Sequence, residues 1–69
     1  MESDELSNKI IQILTDKGKP LTTSELENEV NKAGLQSPDR AVSYLSMLRT
    51  KKLIKGKLSI KEKTWLWWI

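Results

Sequence analysis

The sequence predicts an α+β domain, three helices closed by a C-terminal β-hairpin. Two patterns lead there. Up to Thr50 apolar residues recur at three- and four-residue spacing in three stretches punctuated by Gly and Pro, and beyond Leu53 the spacing falls to two. Charge follows the same division: residues 1–36 carry four lysines against seven acids, a net −3, whereas residues 37–69 carry eight bases against Asp39 and Glu62, a net +6. The overall +3 therefore conceals a basic half, which serves either as an electrostatic footprint for a polyanion or as a solvated, solubilising face.

Leu6, Ile10, Ile13 and Leu14 fall on one helical face. Ser3 is placed as N-cap, Asp4 and Glu5 lie in the first turn, and Gly18 stands where the helix should end. A first helix over 4–17 follows. Lys19-Pro20-Leu21 is then an extended connector able to add one or two residues to a sheet. Thr22-Thr23-Ser24-Glu25 fits a capping box, with Leu21 and Leu26 as its hydrophobic staple. A second helix over 23–33 should bury Leu26, Val30 and Ala33, expose Glu25, Glu27, Glu29 and Lys32, and end at Gly34.

After the turn Gly34–Pro38, Ser37 as N-cap and Pro38 at the first helical position predict an immediate third helix, ending near Lys51 or Lys52. Ala41, Tyr44, Leu45 and Leu48 form its buried stripe with Val42 on the flank; Asp39, Ser43, Ser46 and Thr50 lie opposite, bordered by Arg40 and Met47. Ile54, Leu58 and Ile60 then share one parity, as do Thr64, Leu66 and Trp68. The polar Lys61-Glu62-Lys63 between the two runs predicts the hairpin turn, and Gly56 marks a bulge or the start of a strand.

Sixty-nine residues make one domain, 1–69, without a repeat or linker. A chain this short buries only about 60% of its unfolded surface and has no room for a large substrate cavity. It contains neither Cys nor His, which removes disulfides, the usual zinc sites, thiol chemistry and the usual general base. The carboxylates are scattered over helix faces; Glu25, Glu27 and Glu29 alternate and so point about 200° apart from one to the next. No catalytic residue, cofactor, metal or small-molecule substrate is expected. The start Met1–Glu5 is acidic and polar, and no apolar run approaches the roughly 20 residues that span a bilayer. A cytoplasmic protein without membrane insertion is the expectation.

The order helix, short extended link, helix, tight turn, helix, basic hairpin resembles the winged helix-turn-helix superfamily over nearly the whole chain. The resemblance is carried by Leu21-Thr22-Thr23-Ser24-Glu25-Leu26, by the turn Gly34-Leu35-Gln36-Ser37, by Ala41-Val42-Ser43-Tyr44-Leu45 and by Leu53-Ile54-Lys55-Gly56. In compactness and lysine-rich wing the chain looks most like small regulators of archaea and their viruses. The resemblance implies a nucleoid-associated transcription regulator whose third helix enters the major groove of double-stranded DNA while its wing follows the backbone or minor groove.

Carried onto this chain, the implied base and phosphate contacts are Ser37, Arg40, Ser43, Ser46, Met47 and Thr50, with Arg40 alone able to grip guanine bidentately. Lys55, Lys57, Lys61 and Lys63 would clamp phosphates. Asp39 either favours the helix dipole or accepts from cytosine N4.

Thr64–Ile69 sets aromatics on both faces of one strand. If Leu66 and Trp68 pack on the helices, Trp65 and Trp67 face outward as a partner surface, in a homodimer or with another protein. The alternatives are a strand curling over its own tryptophans and stacking on unpaired bases. Two other function classes also stand: a protein-docking module of a transcription, replication or membrane-remodelling assembly, and binding of RNA or single-stranded DNA.

Overall fold

The computed structural model describes residues 5–69, so Ser3 and Asp4, the expected start of the first helix, lie outside the described residues. The chain runs α1 (Glu5–Lys17), β1 (Leu21–Thr22), α2 (Thr23–Lys32), α3 (Ala41–Thr50), β2 (Lys55–Ser59) and β3 (Thr64–Trp68). The three strands form one antiparallel sheet in the order β1-β3-β2, with the C-terminal strand in the middle. No helix among the described residues is long and apolar enough to cross a membrane.

Each helix ends for a local reason. The amide of Gly18, at φ 64°, donates to Leu14 O and stops α1. The expected capping box starts α2: the Glu25 amide donates to Thr22 Oγ1 at 3.1 Å, and the Thr22 amide donates to Glu25 Oε1 at 2.9 Å. The amides of Gly34 and Leu35 close α2 on Asn31 O and Val30 O, with Gly34 in the left-handed region that this closure requires. Ala33 is thereby the exposed C-cap and not a core residue.

The third helix starts later than Ser37 and Pro38 suggest. Its first backbone bond runs from the Tyr44 amide to Arg40 O at 2.9 Å, which makes Arg40 the N-cap. Ser37 stands three residues before that cap, and its hydroxyl donates to Asn31 Oδ1 at 3.1 Å, which ties the loop back to α2. Asp39 consequently precedes the helix and does not lie in its first turn. At the other end the Lys52 and Leu53 amides close α3 on Arg49 O and Leu48 O, the same closure as in α2 but with a lysine at φ 65°.

The core gathers Ile10, Ile13 and Leu14 of α1, Leu21, Leu26 and Val30, Leu45 and Leu48 of α3, Ile54 and Trp67. Ser7 and Tyr44 share a 2.6 Å hydroxyl contact between α1 and α3. The strand pairs Leu21–Trp67, Gly56–Trp67 and Leu58–Trp65 place one residue set toward the helices; Thr22, Lys55, Lys57, Thr64, Leu66 and Trp68 occupy the outer face. This inverts the expected parity of the last strand. Trp67 is wholly buried and Trp65 packs against the core, whereas Leu66 and Trp68 lie on the outer face, each half-buried.

Gly56 explains the inversion. It pairs with Trp67 inside β2 and is not a bulge, and a Cβ there would overlap the six-membered ring of that indole. The hairpin also reaches past the helical layer. Leu58, although on the helix-facing side, is therefore 59% exposed, and Ile60 in the turn is 88% exposed.

Candidate nucleic-acid interface

The outward side of α3 is set by its buried stripe. With Ala41, Leu45 and Leu48 inward, the exposed side carries Val42, Ser43, Met47, Arg49 and Thr50, and Ser46 is half-buried among them. The Thr50 hydroxyl donates to Ser46 O at 3.0 Å, so its hydrogen is spent within the helix. Ser43, Ser46, Met47 and Thr50 thus share the face expected for them.

Arg40 is exposed one position before the helix, and its side chain makes no cap hydrogen bond. Ser37 is half-buried against α2 and stands off the face altogether. From the cap Arg40 to Arg49 is nine residue steps, about 13 Å along the helix, so cations mark both ends of a surface whose middle carries no formal charge.

Where α3 ends, the chain turns back and β2 runs alongside, leaving an open groove of about 580 Å³ lined by Arg49, Thr50, Lys52, Ile54, Lys55 and Gly56. Three of the six are cations. Arg49 is held in place by donating from Nε to Gly56 O at 3.2 Å, with its guanidinium carbon 5.7 Å from the Trp65 ring centroid. Trp65 in turn stacks on Trp67 at 5.2 Å and 14° between planes, and the Trp67 indole donates to Thr23 Oγ1 at 2.9 Å. A cation at the groove is thereby braced through two indoles to the first turn of α2.

Lys55 and Lys57 stand on the outer sheet face opposite Trp68 and Leu66, and Lys61 and Lys63 occupy the hairpin turn, all four exposed. Lys63 adopts φ 58°, and the Glu62 amide donates to Ser59 Oγ, which shapes the turn. The lysines are thus spread along the hairpin and not gathered at one point. Of the four, Lys55 alone borders the groove.

Two residues of this surface were not singled out from the sequence, Arg49 and Lys52. Arg49 lies seven positions after Val42 on the same helical edge, a spacing that could have flagged it. Lys52 reaches the groove because it occupies the left-handed position after the helix, where Gly is the usual signal.

The proposed partner surface requires a correction. Trp67 has no exposed area, so it belongs to the core and cannot form a partner interface; Trp65 is half-buried between Arg49 and Trp67. No family model, curated protein or solved structure matches the chain.

Proposed function

We propose that this chain is a winged helix-turn-helix domain that binds double-stranded DNA in the cytoplasm, as a small transcription regulator. The observation that carries the reading is the juxtaposition of the exposed α3 face with the groove of Arg49, Lys52 and Lys55. A helix with its outward side free fits the major groove, and cations at its end and on the adjoining hairpin suit the phosphates that flank that groove. On this reading Arg40 and Arg49 grip backbone or guanine at the two ends of α3, and Lys61 and Lys63 follow the neighbouring backbone as the wing. As a homodimer the protein would present two such helices to half-sites about 34 Å apart.

The test is a gel shift on duplex DNA at several salt concentrations. Binding should weaken steeply with salt, each phosphate contact adding roughly −0.9 to the log-log slope. Lys61→Ala with Lys63→Ala should make that slope shallower by up to about 2. Absence of binding at low salt, or binding indifferent to salt, would overturn the reading. Sizing the protein alone and with a two-site duplex tests the dimer. A protein-docking role is favoured by one observation, the exposure of Leu58 and Ile60 beside the hairpin lysines. It predicts capture of a protein partner that is lost on Leu58→Ser and Ile60→Ser, with no dependence on DNA.

A further inference from the structure

From Ala41 to Leu48 the third helix contains no Arg, Lys, Asn, Gln, Asp or Glu. Those are the side chains that pair with purine edges or accept from cytosine in the major groove. What this stretch turns outward instead is Val42, Ser43, Ser46 and Met47, with Val42 41% and Met47 39% exposed. Thr50 beyond it directs its hydroxyl hydrogen back to Ser46 O, so hydroxyl donors along the middle of the face are confined to Ser43 and Ser46.

In B-DNA the major groove exposes one apolar group, the C5-methyl of thymine. Facing polar base edges and groove water, Val42 and Met47 gain little; against such a methyl both apolar surfaces leave water together, which is favourable. At 100° and 1.5 Å per residue they flank the Ser43–Ser46 line about 140° apart and about 7.5 Å apart along the axis. That rise corresponds to roughly two base-pair steps of 3.4 Å.

We infer that Val42 and Met47 read the C5-methyl groups of pyrimidines, so that the preferred duplex places thymines against the middle of α3 and confines guanine contacts to Arg40 and Arg49 at its ends. The inference rests on the duplex-binding reading and names what that surface recognises. It assigns specificity to two apolar side chains and makes the hydroxyls sequence-tolerant partners. A 5-methylcytosine carries its methyl at the same place in the groove and is recognised in the same way.

The experiment compares a thymine-rich duplex with the same duplex carrying uracil in place of thymine, and a G·C-rich duplex with and without 5-methylcytosine. Pairing is unchanged in each comparison and only the methyl differs. Removal of thymine methyls should weaken binding by about fourfold per contacted methyl, the factor that burying one such carbon corresponds to. Methylation of cytosine should strengthen binding in like measure.

In Val42→Ala and Met47→Ala the ratio of thymine-duplex to uracil-duplex affinity should fall toward one, whatever the absolute affinity; both sites are exposed, and helical circular dichroism verifies the fold. Equal binding of thymine and uracil duplexes overturns the inference and leaves duplex binding standing. A thymine preference undiminished in both variants also overturns it, since the methyls are then read elsewhere. Failure to bind any duplex removes the underlying reading itself.

Discussion

The indole nitrogen of Trp67 donates to the hydroxyl of Thr23, joining residues 44 apart in sequence inside the core. Thr23 opens α2, and Trp67 lies at the centre of the sheet. The bond satisfies the polar atom of the largest wholly buried side chain and fixes which way the last strand faces.

Thr23→Val keeps the shape but leaves that N–H buried and unpaired, which should cost about 1–3 kcal/mol. Urea denaturation measures it. Trp67→Phe removes the donor, and the double variant should be less destabilised than the two single losses added together, by about 0.5–1.5 kcal/mol. Simple additivity would show that the hydroxyl and the indole act independently.

Gly56→Ala should destabilise the fold by about 1–3 kcal/mol, the usual range for overpacking. The cause is the Trp67 ring lying over the position where Cβ would stand. Thermal unfolding reads the loss, and a changed tryptophan emission in the folded variant would report displacement of the ring. An unchanged melting temperature would mean that the ring does not depend on that opening.

Lys52 has two roles that pull in opposite directions. Its φ of 65° strains a side chain with a Cβ, so Lys52→Gly should stabilise the protein by about 0.5–1 kcal/mol. The same change removes a groove cation and should weaken duplex binding, lowering the salt slope by about 0.9. Measuring melting temperature and affinity on one variant separates the two.

Arg49→Lys preserves charge but loses the guanidinium that both bonds Gly56 O and lies against Trp65. Duplex affinity should fall several-fold with little change in salt slope, and near-ultraviolet circular dichroism of the tryptophans should change. If affinity is retained, charge alone accounts for the contribution of Arg49.

What could be read in the sequence was local. Thr22 and Glu25 meet across three residues, and Gly18 and Gly34 end their helices through bonds to the preceding turn, so short windows contain the whole interaction. The parity of the last strand was not local. Trp65, Leu66, Trp67 and Trp68 are apolar on both faces, and the choice is made by Gly56 across the sheet and Thr23 in α2. Ser37-Pro38 reads as a helix start, yet the helix begins only after Arg40, and Ser37 instead joins the loop to Asn31 of α2. The groove was hidden for the same reason: the hairpin must dock beside α3 before Arg49, Lys52 and Lys55 become neighbours. Ser43, Met47 and Thr50 were legible because helical periodicity alone exposes them, with Ser46 half-buried between them, whereas Arg40 is exposed ahead of the helix.

The strand order β1-β3-β2 has a kinetic consequence. The central strand is β3, made after the five other elements described, and its pairing with Leu21 and Thr22 closes a loop of more than 40 residues. Non-local closures of this kind raise relative contact order and slow folding compared with a bundle of helices alone. A nascent chain carrying α1, α2 and α3 without β3 lacks Trp67 and the strand that joins β1 to β2. The helices emerge first, but cooperative folding waits for Thr64–Trp68, and the apolar faces of those helices are open to chaperones and proteases until that strand arrives.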